Sequence, residues 1–365
     1  FSLRLNMNYE IAGAGAIPFP GLGGRIISLS IAPSENNFLG LRKNLAVPLV
    51  MNLGQWAVGP RYIDPRVNGS RVRFGAQAQA IIAREDSSIE GTSSSISLSY
   101  PLWSYRREWA WSASASHFDA PVRQFSGVDL FTYDNPDTVE EEAVPRIYDS
   151  RVFSIGGGVT RSFGYRYKSN FTLGHQLRSI RPTVQDDFAG DPTLQAAFER
   201  DVLPRSERSS AVSLAYSFFT PRFVTYRNIN TYSLPEDVRL GPQLSLSTSL
   251  ARKEIGSERN FVNLSAAASW TLDMFGDGYA RASASASTRV EDSDARDNTF
   301  VVSARVVPPR LFGLWRVVSR IAYRSIVDND NNAVLFLGGS SGLRAYDVGT
   351  YSGDTRLIGN LELRS

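Results

Sequence analysis

The chain has 365 residues and a formal net charge of +3. That length suits one large β-architecture or a few ordinary domains, and so balanced a charge gives no case for a nucleic-acid partner. It has no cysteine and only two histidines, His117 and His175, which excludes disulfides and thiolate metal sites and leaves little for zinc chemistry or a histidine-dependent triad.

Lysine is confined to Lys43, Lys168 and Lys253, so the basic residues are almost all arginine. A guanidinium stays charged and makes forked hydrogen bonds, which suits walls of facing charge; a compositional bias of the source would give the same excess. No apolar run approaches the ~18 residues of a membrane-spanning helix. The sequence opens directly in a strand pattern, with no signal peptide visible. A mean hydropathy of -0.20 resembles that of a soluble protein, but a membrane barrel hides behind such an average because its polar and apolar residues alternate.

In chain order, the first strand is predicted over Phe1–Ile11, where Phe1, Leu3, Leu5, Met7, Tyr9 and Ile11 alternate with Ser2, Arg4, Asn6, Asn8 and Glu10. Phe74, Ala76, Ala78, Ala80 and Ile82 then oppose Arg73, Gln77 and Gln79; Ile96, Leu98 and Tyr100 oppose Ser95, Ser97 and Ser99. Residues 119–150 are rich in proline and acid, with Glu140, Glu141 and Glu142 in a row, and read as a solvated loop. Within 179–207, Asp191-Pro192 heads TLQAAFER, an N-cap and N1 pair that starts a short helix on a second loop. Further on, Leu264, Ala266, Ala268, Trp270 and Leu272 oppose Asn263, Ser265, Ser269 and Thr271, and Ala280 to Ala286 alternate with Arg281, Ser283, Ser285 and Ser287.

Roughly 16 to 18 such segments, each near the ~9–11 residues of a tilted membrane strand, predict an all-β chain: one transmembrane antiparallel β-barrel of 16 or more strands over residues 1–365. Tyr and Trp gather near strand ends (Trp103, Tyr105, Trp109, Trp111, Tyr216, Tyr226, Trp315), as interfacial girdles require.

In LWRVVSRIAYRSIV (314–327), Trp315, Val317, Ile321, Tyr323 and Val327 share one face, and Arg316, Arg320 and Arg324 the other. Toward lipid each arginine would cost ~2–4 kcal/mol near the midplane, so this column belongs in the lumen. The loop FLGGSSGLRAYDVG (336–349) follows, with four glycines and one arginine. Gly338 to Gly342 spells G-x-S-x-G, but no helical period follows and neither histidine has a recognisable partner, so the serine-hydrolase reading lacks its context. In RLIGNLELR (356–364), Leu357, Leu361 and Leu363 point outward and Arg356, Asn360, Glu362 and Arg364 inward.

The run Phe336-Leu337-Gly338-Gly339-Ser340-Ser341-Gly342-Leu343-Arg344-Ala345-Tyr346, followed by Leu361-Glu362-Leu363, resembles the BamA-type superfamily of outer-membrane barrels (the bacterial surface antigen family). Glu35-Asn36-Asn37-Phe38-Leu39-Gly40 and Tyr62-Ile63-Asp64-Pro65 are similar, more weakly, to elements early in that fold. The resemblance implies a lumen-folded loop, Arg344 paired with Glu362, no catalytic residues, no metal and no cofactor. It also implies an integral protein of a Gram-negative outer membrane. Its partners would be the lipid bilayer and client outer-membrane or secreted polypeptides, with room for periplasmic or lipoprotein accessory subunits.

Three departures stand out. Ala345 replaces the family's glycine, about four further strands are missing after Glu362, and no periplasmic domain precedes the barrel, so a fragment of a larger chain is the expectation. The function implied is assembly or translocation of polypeptides through a lateral seam. The alternative is a passive pore or two-partner-secretion-type transporter, in which the loop is a plug and the arginines set anion preference. If Arg344 braces the loop, Arg344→Ala leaves the barrel folded but raises protease cleavage within 338–350; unchanged cleavage overturns the brace.

Overall fold

The computed structural model describes residues 3–11, 26–138, 142–231, 233–339, 342, 343 and 346–364. Nineteen strand segments form one antiparallel sheet. Three of them are second halves of interrupted strands, which leaves sixteen spans, numbered β1–β16 here.

These are β1 (Leu3–Ile11), β2 (Ile26–Phe38), β3 (Lys43–Ala46 with Leu49–Met51), β4 (Gln55–Val58 with Arg61–Asp64), β5 (Arg73–Ala83), β6 (Ile89–Tyr100), β7 (Trp109–Arg123) and β8 (Ile147–Phe163). Then come β9 (Lys168–Thr183), β10 (Glu207–Phe219 with Arg222–Arg227), β11 (Pro235–Ala251), β12 (Phe261–Asp273), β13 (Tyr279–Glu291), β14 (Asp294–Val307), β15 (Arg316–Val327) and β16 (Thr355–Arg364). Each span pairs with the next in the chain, an uninterrupted meander from β1 to β16. The breaks in β3, β4 and β10 contain Pro48, Pro60 and Pro221, residues that cannot donate to a ladder.

Alternation decides the two faces of the sheet. On β12 and β13, Asn263 lies opposite Arg289, Ser265 opposite Ser287 and Ser269 opposite Ser283, and these line the concave side. The intervening Leu264, Trp270 and Leu272 stay exposed on the convex side, as do Phe300 and Val302 of β14 and Leu357, Leu361 and Leu363 of β16. No described helix is long and apolar enough to cross a membrane.

The sheet curls strongly. Seven ladders separate β8 from β15, yet the segments that follow β7 and β15 touch: the Gly127 amide donates to the Val348 carbonyl at 2.5 Å, and Phe131 meets Phe336 edge-on at 6.2 Å between centroids. A flat sheet at about 4.8 Å per strand would hold them more than 30 Å apart.

Loop lengths are unequal. One end carries short turns, including 164–167 and 274–278; the other carries the long connections 124–146, 184–206 and 328–354. At the long-loop end α1 (Pro192–Asp201) forms as the sequence predicts, with Asp191 accepting from the Leu194 amide at 2.8 Å. The stretch expected to be a solvated loop is different. β7 runs to Arg123 and β8 starts at Ile147, and between them lie two short ladders, Phe125–Ser126 with Asp129–Leu130 and Thr132–Tyr133 with Val144–Pro145. Tyr133 and Val144 pack with Leu194, Ala197, Phe198 and Val202 of the α1 region into a small apolar core. The acidic run concealed these apolar residues on either side of it.

The short-turn end holds an element that the sequence did not announce. Beyond Thr220, the second half of β10 and the start of β11 continue as a hairpin, Arg222–Arg227 against Pro235–Leu240. That hairpin folds across the mouth of the sheet: Tyr226 and Ile229 pack against Tyr279, Val307 and Val318 of β13–β15. The Tyr226 hydroxyl donates to Asp273 at 2.6 Å. At its base, Gly241 adopts φ +86°, and the Thr220 hydroxyl donates to the Leu240 carbonyl at 2.6 Å.

Replacing Asp191 by alanine should remove the cap of α1 and cost about 1 kcal/mol there. Hydrogen exchange should speed up in residues 192–201 and leave the barrel strands unchanged.

Candidate functional site

The site is built from β14–β16, the 328–354 connection and the far hairpins that meet it. The connection starts and ends in its own ladder, Leu335–Leu337 against Tyr351–Gly353. Beyond that stem the glycines take conformations that other residues avoid. Gly338 has φ +139°, and a Cβ there would lie 2.0 Å from the Asp347 carbonyl. Gly339 has φ +53° and donates its amide to the Tyr346 carbonyl at 2.8 Å. Tyr346 in turn donates to Leu343 at 3.1 Å and packs on Tyr351 at 5.6 Å.

Gly342, at φ +132°, sits against the wall, where an added Cβ would meet the Ile358 side chain of β16 at 2.6 Å. The loop is therefore folded onto the inner face of the sheet. From the other side, the 125–131 segment holds it through the Gly127–Val348 bond and a Ser126 hydroxyl bond to the Gly349 carbonyl of 3.3 Å.

The predicted brace cannot be placed in the same way. Arg344 and Ala345 lie outside the described residues, as do Ser340 and Ser341. Glu362 is on β16, opposite Val318, and accepts from Arg364 Nε at 3.0 Å.

The arginine column divides in two. Arg316 lies at the short-turn end of β15, only 3% exposed, and donates to Asp277 Oδ1 at 3.0 Å and to the Asp277 carbonyl at 2.7 Å. Asp277, in the β12–β13 turn, is partly buried, which opposes its charge; hydrogen bonds from Arg310 and Arg316 prevail and hold its carboxyl below the usual aspartate value. Arg320 and Arg324 instead face a cavity of about 700 Å³, with Arg305, Arg356, Arg364 and Glu362 among its lining. Arg305 also donates to Asn230 of the lid hairpin at 2.7 Å, and Arg364 to the carbonyl of Ile229.

Sequence reasoning missed both clamps on this region, the 125–131 segment and the lid. The available signals were the paired breaks Thr220-Pro221 and Gly241-Pro242, and Gly127, whose φ is +66°. Among the described residues no group of three metal-ligating side chains comes together.

Neither a family model nor a curated protein sequence matches this chain. In fold, the chain is similar to the crystal structure of BamA from Haemophilus ducreyi lacking POTRA domains 1–3. The match covers 99% of this chain and 70% of that one, with 10% identity and a TM-score of 0.38.

Gly342→Ala should strain the loop by about 1–3 kcal/mol, because the φ is left-handed and the methyl group meets Ile358. Limited proteolysis should then cut within 338–350 faster than in the parent, with barrel heat stability unchanged.

Proposed function

We propose that the protein is a non-enzymatic outer-membrane barrel that assists insertion or translocation of other polypeptides through a lateral seam between β1 and the last strand of the barrel. The observation that carries this reading is the loop folded onto the inner face of β15 and β16 behind an apolar outer face, where Leu357, Leu361 and Leu363 are exposed. Among the described residues β1 has a ladder only with β2, and Leu5 on its outer face is exposed.

Unpaired backbone N–H and C=O groups at hydrocarbon depth cost several kcal/mol each. An edge of this kind therefore favours any incoming strand that completes it, and β-augmentation by a client strand does so. The exposed apolar belt makes the bilayer the surrounding solvent, and the short-turn and long-loop asymmetry matches periplasmic and external ends. In this scheme the folded-in loop keeps the lumenal face of β15 and β16 in register while the β1 edge exchanges partners. Client polypeptides and accessory subunits are partners by the same reasoning.

The arginines of the lumen favour a second reading, an anion-preferring pore of the same architecture. The lid hairpin across the short-turn mouth and the loop on the inner wall both narrow such a path, so the seam reading is preferred.

Leu5→Cys should crosslink to a cysteine in the terminal strand of a client barrel during active assembly in membranes. Absence of the crosslink while assembly proceeds would overturn the seam. Steady anion-selective conductance that falls in Arg320→Gln would support the pore instead.

A further inference from the structure

Arginines of the inner wall occur in two groups with opposite surroundings. Toward the long loops several are matched by acid. Arg205 binds Glu291 at 2.9 Å, Arg289 binds Glu291 at 2.8 Å and also Glu207, and Arg296 binds Asp330 at 2.7 Å. On the inner face of β13–β16 the register instead sets arginine against arginine. Arg281 is opposite Arg305, and Arg305 is opposite Arg320, so three neighbouring strands carry a row of like charges. Two pleat repeats further along β15, Arg324 is opposite Arg356.

Directly opposed like charges destabilise a sheet. What these residues hold in compensation is neutral: Arg281 reaches Ser269 at 3.3 Å, Arg305 the Asn230 amide oxygen, and Arg356 the Phe336 carbonyl at 2.9 Å. Arg320 and Arg324 make no hydrogen bond or ion pair among the described residues. Glu362 is the one carboxylate lining the cavity among those residues, and it is engaged by Arg364.

We propose that this wall is a binding site for a small multivalent oxyanion. Its centre is the pair Arg305–Arg320, which Arg281 flanks outside the cavity lining, and the pair Arg324–Arg356 lies four residues further along β15, about 13 Å of strand rise. Both pairs, Arg305–Arg320 and Arg324–Arg356, line the same cavity. Between the two lie Ser303, Ala322 and Ile358, whose short or apolar side chains leave the roughly 700 Å³ open. That volume falls in the ~300–1,000 Å³ range of small-ligand sites.

Forked guanidinium donors in adjacent strands match phosphate or carboxylate oxygens two at a time. Lysines in the same places would supply charge without the fork. An oxyanion bound there neutralises charges that the strand register forces together, so the ligand and the wall stabilise one another. This site does not depend on the seam reading: it binds its anion whether the barrel assembles clients or conducts ions.

The test is isothermal titration of the full chain, in detergent, with inorganic tripolyphosphate, and with orthophosphate for comparison. Saturable one-to-one binding is expected, at least tenfold tighter for tripolyphosphate. Arg320→Gln combined with Arg324→Gln should weaken it at least tenfold, Arg320→Lys with Arg324→Lys by less, and Arg166→Gln in the exposed β8–β9 turn not at all.

Heat unfolding provides a second readout. Without anion the glutamine double variant should melt above the parent, because opposed charges have been removed; tripolyphosphate should raise the parent's melting temperature and not the variant's. Equal affinity in parent and glutamine variant, no saturable binding by the parent at millimolar tripolyphosphate, or a glutamine variant that melts below the parent would each overturn the proposal.

Discussion

The antiparallel ladder is the constraint from which the rest of this structure follows. In a sheet one layer thick, each residue belongs to one face only, and a slip of one position would turn every arginine of the lumen outward. Register is therefore enforced at sixteen spans at once, by apolar residues on the convex face and serine, asparagine and arginine on the concave one. The same register sets Arg305 against Arg320 and Arg324 against Arg356. A sheet that must keep its faces has no freedom to separate them. Charges are thus concentrated by the requirement that everything else be paired.

Small residues complement the arginines. β13 alternates alanine and serine from Ala282 to Ser287, β12 carries only serine and alanine from Ser265 to Ser269, and the Ser283 and Ser303 hydroxyls meet at 2.8 Å across β13–β14. Such side chains fill little of the lumen and leave room for what enters from the loops. At the long-loop end that room is taken by the 328–354 loop, held between Ile358 on one side and the 125–131 segment on the other. Two connections distant in sequence thereby fix each other, and α1 with its apolar cluster sits beside them.

Much of this was legible in the residues. Period-two alternation gave the strands and their faces, Asp191-Pro192 the helix, and the resemblance carried by the glycine run implied a loop that turns back on the wall. Arg320 and Arg324 were placed on one face by their spacing alone. Long-range packing was less legible. Arg316 shares that spacing, yet its neighbour Asp277 comes from a turn 39 residues away, and no local pattern announces the pair. Tyr133 and Val144 flank a run of acids whose solvated character dominates any window drawn around them. The 222–240 hairpin reads as ordinary strand because its own ladder is regular; its direction is set by two breaks at its base, Thr220-Pro221 and Gly241-Pro242. In each case the deciding partner lay far along the chain.

The hairpin has a mechanical consequence. Its internal ladder from Arg222–Leu240 to Arg227–Pro235 is complete in itself, so it can change direction without breaking any of its own backbone bonds. What anchors it are bonds at its tip and along one side: Tyr226 to Asp273, Arg305 to Asn230, and Arg316 and Arg364 to the carbonyls of Arg227 and Ile229. Apolar packing of Tyr226 and Ile229 against Tyr279, Val307 and Val318 adds to these bonds. Arg305 and Arg364 thus serve two structures at once, lining the cavity of the inner wall and holding the hairpin across the mouth.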